Sequence, residues 1–111
     1  MLLPIKISAE TKDEVPPVQI NWDKKEDDDR SQSYMPSLLR DINHVYVYSE
    51  KQLDNLSIGI TDMMGNTYYY EVTNVPACTY YAVSIESLPA GTYYLSIYQG
   101  SNYVIGMFTV N

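Results

Sequence analysis

Apolar and polar residues alternate with a period of two along most of this chain. Seven short runs carry the pattern: VQINW (18–22), HVYVYS (44–49), LSIGIT (56–61), TYYYEVT (67–73), YYAVSIE (80–86), TYYLSIY (92–98) and YVIGMFTV (103–110). Successive residues of a strand point to opposite faces, so this alternation predicts strands with one buried face. No ten-residue stretch keeps a helical period, and from the second run onward the starts lie about a dozen residues apart or less. Such spacing predicts an all-β sandwich.

The turns agree with the strands. DMMGN (62–66) and QGSN (99–102) place Gly65 and Gly100 where hairpins need positive φ, and LPAG (88–91) forms a corner before the sixth run. Alternation assigns inward faces to Val18, Ile20 and Trp22; Val45 and Val47; Leu56, Ile58 and Ile60; Tyr68, Tyr70 and Val72; Tyr81, Val83 and Ile85; Tyr93, Leu95 and Ile97; and Val104, Phe108 and Val110. Tyr93, just after the corner, suits a tyrosine corner, whose hydroxyl bonds the backbone a few residues upstream. Residues 1–17, broken by Pro4, Pro16 and Pro17, read as an N-terminal tail, and residues 18–111 as the sandwich domain. The polar segment 23–37 reads as a solvated, mobile loop.

With those faces set, Tyr69, Tyr94, Tyr98, Tyr103, Ile105 and Met107 point outward. A hairpin joins the third and fourth runs, and in immunoglobulin and fibronectin arrangements the third, sixth and seventh strands share a sheet. One sheet would then run in the order fourth, third, sixth, seventh. Its outer face would be a tyrosine band with a shallow trough over Gly59, unless Tyr94 or Tyr98 covers that glycine. Three readings of the band stand open: a self-association or protein-partner surface, a platform stacking sugar rings, or the plain strand preference of tyrosine.

Charge narrows the partners. The net charge is −7, and all 7 basic residues lie at or before Lys51. From Gln52 to Asn111 only the acids Asp54, Asp62, Glu71 and Glu86 carry charge, so this half cannot neutralise phosphates, which argues against nucleic acid and anionic lipid. The start MLLPI is too short for a signal h-region, and no run approaches a membrane span. Export would require a signal already absent from this chain.

Chemistry has few residues to draw on. Cys78 is the only cysteine and His44 the only histidine, so no intrachain disulfide forms, and a Cys–His pair needs these two to meet in space. Zinc lacks ligands. The run Glu26 to Asp29 offers carboxylates to Ca²⁺ but lacks the spaced pattern of a calcium loop, and no phosphate-binding glycine loop is present. The expectation is a protein that is not an enzyme and carries no cofactor and no metal.

From about Val18 onward the chain resembles the bacterial family known as domain of unknown function 3244. The likeness rests on VQINW, on Arg30, Ser31 and Pro36 in the following loop, on HVYVYS, on LSIGITDMMGNTYYYEV, and on LPAGTYYLSI and YVIGMFTV with its Gly-x-Phe. The resemblance implies a seven-stranded immunoglobulin-like antiparallel sandwich and small proteins of Gram-negative gut bacteria, exported with a cleaved signal peptide. It supplies no activity and no functional residues. The second half also looks like the C-terminal sorting domains of type IX secretion, although GMFTVN lacks their basic final strand. The expected role is a binding or structural module in the periplasm or at the cell surface. A homo-oligomer or an envelope protein is its partner, a glycan-binding module is the alternative, and a sorting-related module is a third reading.

Overall fold

The computed structural model of the protein describes residues 11–22 and 35–111. Nine strands form among them: β1 (Asp13–Glu14), β2 (Pro17–Asn21), β3 (Ser37–Arg40), β4 (His44–Tyr48), β5 (Leu53–Asp62), β6 (Thr67–Val75), β7 (Tyr81–Ser84), β8 (Gly91–Gln99) and β9 (Asn102–Val110). All pairings are antiparallel, in a four-stranded sheet β1-β3-β4-β7 and a five-stranded sheet β2-β9-β8-β5-β6. The two pack as an immunoglobulin-like sandwich. The order β6-β5-β8-β9 is the one expected from the sequence, with β2 added at the far edge.

The core lies where alternation is regular. Val45, Val47, Val83 and Ile85 face Leu56, Ile58, Ile60, Tyr93, Leu95, Ile97, Val104 and Phe108, all buried. Burying a side chain of this size contributes roughly 1.5–3 kcal/mol, so these apolar rows dominate the fold. Tyr93 closes one end of the core. It is 2% exposed, its hydroxyl donates to the Pro89 carbonyl, and its ring lies 5.7 Å from that of Phe108. The tyrosine corner stands as expected.

Two inward assignments are corrected. Tyr68, Tyr70 and Val72 are exposed, and the core side of β6 carries Tyr69, Glu71, Thr73 and Val75 instead. Ile60 pairs with Tyr69, but the next residue, Thr61, pairs with Thr67. Tyr68 is thus an extra residue on β6, and one extra residue exchanges the faces of everything beyond it. Val18 and Ile20 are 47% and 50% exposed. Val18 falls in the register shift of β2 against β9, between Pro17 and Gln19, whereas Ile20 pairs with buried Val104 and keeps the inward side, exposed at the edge of the sheet. Trp22, as expected, packs against the core.

The tail boundary is corrected as well. Asp13 and Glu14 pair with Arg40 and Leu39, and Val15 is buried. The chain then changes sheets: the Val15 amide donates to the Leu38 carbonyl of one sheet, while the Pro16 carbonyl accepts from Met107 of the other. Gly106 lies beneath this crossing. A Cβ there would fall 2.6 Å from Val15 Cγ1, 3.1 Å from Leu38 Cδ1 and 3.2 Å from the Pro16 oxygen. β3, which adds two strands to the expected seven together with β1, begins at Ser37 in the segment read as loop. Residues 1–10 and the rest of that loop up to Tyr34, with the acidic run and the loop residues of the resemblance before Pro36, lie outside the described residues.

Candidate functional site

The outer face of the five-stranded sheet is built from cross-strand rungs. Residues directly opposite one another share a face. One rung reads Val72, Ser57, Tyr98, Tyr103, Asn21; the next Tyr70, Gly59, Ser96, Ile105, Gln19; a third brings Thr61, Tyr94 and Met107 together. Five of the six expected site residues therefore converge: Tyr94, Tyr98, Tyr103, Ile105 and Met107. The Tyr98 and Tyr103 rings lie 5.5 Å apart at 41°.

Tyr69 does not join them. The extra residue in β6 turns it to the inner side, where its hydroxyl donates to Glu71. Tyr70 and Val72 take its place on the band, exposed by 65% and 53%. Tyr70 also covers the glycine: a Cβ at Gly59 would lie 3.7 Å from its ring, and its hydroxyl is 3.3 Å from Ser57 Oγ. The trough consequently opens one strand further along. It is a depression of about 470 Å³ lined by Val18, Gln19, Thr61, Tyr94, Ser96 and Ile105. No strand of this sheet carries Lys or Arg, and the acids Asp54, Asp62 and Glu71 of β5 and β6 are not among the residues of these rungs, which set hydroxyl and amide groups between the rings.

The inner edge of the same sheet holds a polar latch. Glu71 on β6 accepts from Tyr69 and, at 2.5 Å, from Tyr81 on β7 of the opposite sheet. Those hydroxyls hold the Glu71 carboxyl below the ordinary range. Burial and the bond to Glu71 push Tyr69 well up, and the bond to Glu71 raises Tyr81. The latch joins the two sheets on the side where β6 and β7 are edges.

A second aromatic cluster, not singled out from the sequence, covers the four-stranded sheet. Tyr80 lies 4.6 Å from Tyr48 and 6.2 Å from Tyr46, and Lys12 Nζ sits 4.6 Å and 4.9 Å from the rings of Tyr80 and Tyr46. Alternation in HVYVYS was the available signal, because buried Val45 and Val47 force Tyr46 and Tyr48 outward. Tyr46 donates to Asp41 at 2.5 Å, which together with burial raises its hydroxyl to about 12. Burial alone would raise Asp41, but Tyr46 and the amides of Asn43 and His44 outweigh it and lower this carboxyl.

His44 and Cys78 stand at opposite ends of β4. His44 pairs with Ser84 at its start, whereas the Cys78 amide bonds Ser49 beyond its end. Among the described residues no three His, Cys, Asp or Glu side chains gather in a way that could hold a metal ion, and no helix is long and apolar enough to cross a membrane.

The family described as "Domain of unknown function (DUF3244)" matches residues 16–110. The fold is similar to the 1.70 Å crystal structure of a DUF3244 family protein with an immunoglobulin-like β-sandwich fold from Bacteroides vulgatus ATCC 8482. The TM-score is 0.70 at 21% identity, over 91% of this chain and 100% of that one. No curated protein matches the chain.

Proposed function

The chain belongs to the DUF3244 family, and from that premise we propose that it is an exported, non-enzymatic interaction module of the cell envelope. The observation that carries this reading is the outer face of the five-stranded sheet. There Tyr70, Val72, Tyr94, Tyr98, Tyr103, Ile105 and Met107 form one surface across β6, β8 and β9, bridged by the small residues of β5. Scattered exposed apolar residues need no explanation, but a contiguous patch marks a contact surface. Tyrosine gives such a surface apolar area and a polar tip at little cost in side-chain freedom. The partner is an envelope protein. The separation of His44 from Cys78 supports a role in binding over one in catalysis.

A glycan is the second reading, favoured by the trough. Its volume of about 470 Å³ suits a sugar ring, with Tyr94 as a wall and Gln19, Thr61 and Ser96 as hydrogen-bonding groups.

One pair of experiments separates the two. The double variant Tyr94→Ser with Tyr98→Ser should fold normally and fail to retain the protein that the native domain captures from envelope extract of the host bacterium. Titration of the native domain with envelope oligosaccharides, followed by tyrosine fluorescence, should show no saturable change. Equal retention by native and variant would sink the contact reading, and saturable quenching lost on Tyr94→Ser would replace it with the glycan.

A further inference from the structure

Residues 11–20 are held differently from the rest of the sandwich. Of these ten residues only Val15 is buried. β1 pairs through Asp13 and Glu14 alone. β2 is exposed along its whole length, starts at Pro17 and shifts register before Gln19. The two strands lie in different sheets, and each is only an edge. Segments with little buried apolar area and weak pairing open at low free energy. The body of the fold is the opposite case: Ile58 and Ile60 on β5 and Leu95 and Ile97 on β8 are fully buried.

Two specific contacts fasten this segment. Val15 sits over Gly106, in the space that a Cβ there would fill. At that point the backbone makes one bond to each sheet. The Val15 amide donates to the Leu38 carbonyl at 2.8 Å, and the Met107 amide donates to the Pro16 carbonyl at 3.2 Å. Nearer the start, the Lys12 ammonium lies in the corner between the rings of Tyr46 and Tyr80, which meet at 84°. A cation over an aromatic ring is attracted by its negative face. At the other end Asn21 Nδ2 donates to the Ser101 carbonyl and Trp22 packs against the core, which gives the segment a fixed pivot.

We propose that residues 11–20 form a strap that docks and lifts as one unit about Asn21 and Trp22 while the rest of the sandwich stays folded, with Val15 and Lys12 as its fasteners. The motion acts on the trough. Val18 and Gln19 of the strap form one wall, and Thr61, Tyr94, Ser96 and Ile105 of the body form the others. The trough is therefore complete only when the strap is docked. A ligand that touched both walls would favour the docked state, and docking would favour that ligand by the same factor. The strap itself stands whatever the tyrosine face binds.

Native-state hydrogen exchange of the protein in increasing, sub-denaturing urea tests this. The Val15 and Met107 amides report on the strap, because their bonds form only when it is docked. Amides bonded between β5 and β8 report on the body. Val15 and Met107 should exchange through one common opening, about a hundredfold or more frequent than that of β5 and β8 and nearly independent of urea. Lys12→Gln should make this opening about threefold more frequent at both amides, and Val15→Ala about tenfold. Ile58→Val weakens the body alone. It should speed exchange between β5 and β8 about fivefold and leave Val15 and Met107 unchanged. Strap amides that share the protection and urea dependence of β5 and β8, or that respond to Ile58→Val as these do, would overturn the proposal, since the segment would then leave only with the whole fold. Unequal openings at Val15 and Met107 would overturn its movement as one unit. Lys12→Gln without effect at either amide would overturn the role of Lys12.

Discussion

Tyr93 and Gly106 show how much of this fold rests on single positions. The Tyr93 hydroxyl reaches the Pro89 carbonyl from a buried ring, while Tyr94 directs its side chain to the outer face. Removing one such bond costs about 0.5–1.5 kcal/mol. Tyr93→Phe should therefore lower stability by that amount in a denaturant titration, and Tyr94→Phe should change it little. Gly106 is required because Val15 and the Pro16 carbonyl cross directly above it. Overpacking of this kind costs about 1–3 kcal/mol. Gly106→Ala should fall in that range in the native background and cost markedly less in Val15→Ala, a coupling that a double-mutant cycle reads directly. The Gly-x-Phe of the family resemblance thus has a physical content, a glycine under the sheet crossing and a phenylalanine under Tyr93. The need for glycine could not be read from the sequence, because Val15 lay in what looked like a tail.

The residues of the latch make stability depend on pH. Glu71 is held below its ordinary value of 4.5 by Tyr69 and Tyr81. A carboxyl lowered in the folded state contributes stability that is present above its unfolded value and lost as pH falls through its folded one. Tyr69 and Tyr81 are raised from 10.0, so their contribution is present below that value and lost as pH rises toward the folded values. Glu71→Gln should therefore weaken both the acid and the alkaline dependence of Tm attributable to the latch, as thermal melts across pH would show. Unchanged limbs would remove the latch from the account.

At the scale of the element, β4, β8 and β9, and β5 from Ser57 onward where it pairs with β8, were legible because regular pairing preserves the alternation of their side chains. β6 was not. Three consecutive tyrosines give no polarity by which to choose a face, and the extra residue at Tyr68 lies beyond any period-two reading. The turn before it was legible in type. Asp62 accepts from the amides of Met64 and Asn66, both at 2.9 Å, and Gly65 has φ of 91°. The side chain and amide of Asn66 are the chief reason the Asp62 carboxyl is lowered. No atom would crowd a Cβ at Gly65, so Gly65→Ala isolates the cost of the backbone conformation alone, about 1–2 kcal/mol. β1 and β3, with two and four residues, are too short to register as periodic runs. They are recognisable only once the sheet crossing brings them together.

At the scale of the molecule, the sandwich sorts its chemistry by sheet. The five-stranded sheet carries no cation and presents the tyrosine band. The four-stranded sheet presents Tyr46, Tyr48 and Tyr80, with Lys12 over the rings of Tyr46 and Tyr80. Five of the six candidate residues were legible because they lie on β8 and β9, where registers are regular; the sixth failed with β6. The location of the trough was not legible, since it depends on Tyr70 covering Gly59. The most direct test of the central claim, that the five-stranded face is the contact surface, is site-specific photo-crosslinking in the envelope of the host bacterium. A photoreactive residue would replace Tyr98 on the band or exposed Ala82 on β7 of the other sheet. The account predicts one discrete protein adduct from position 98 and none from position 82. Adducts of equal yield from both, or from position 82 alone, would contradict it.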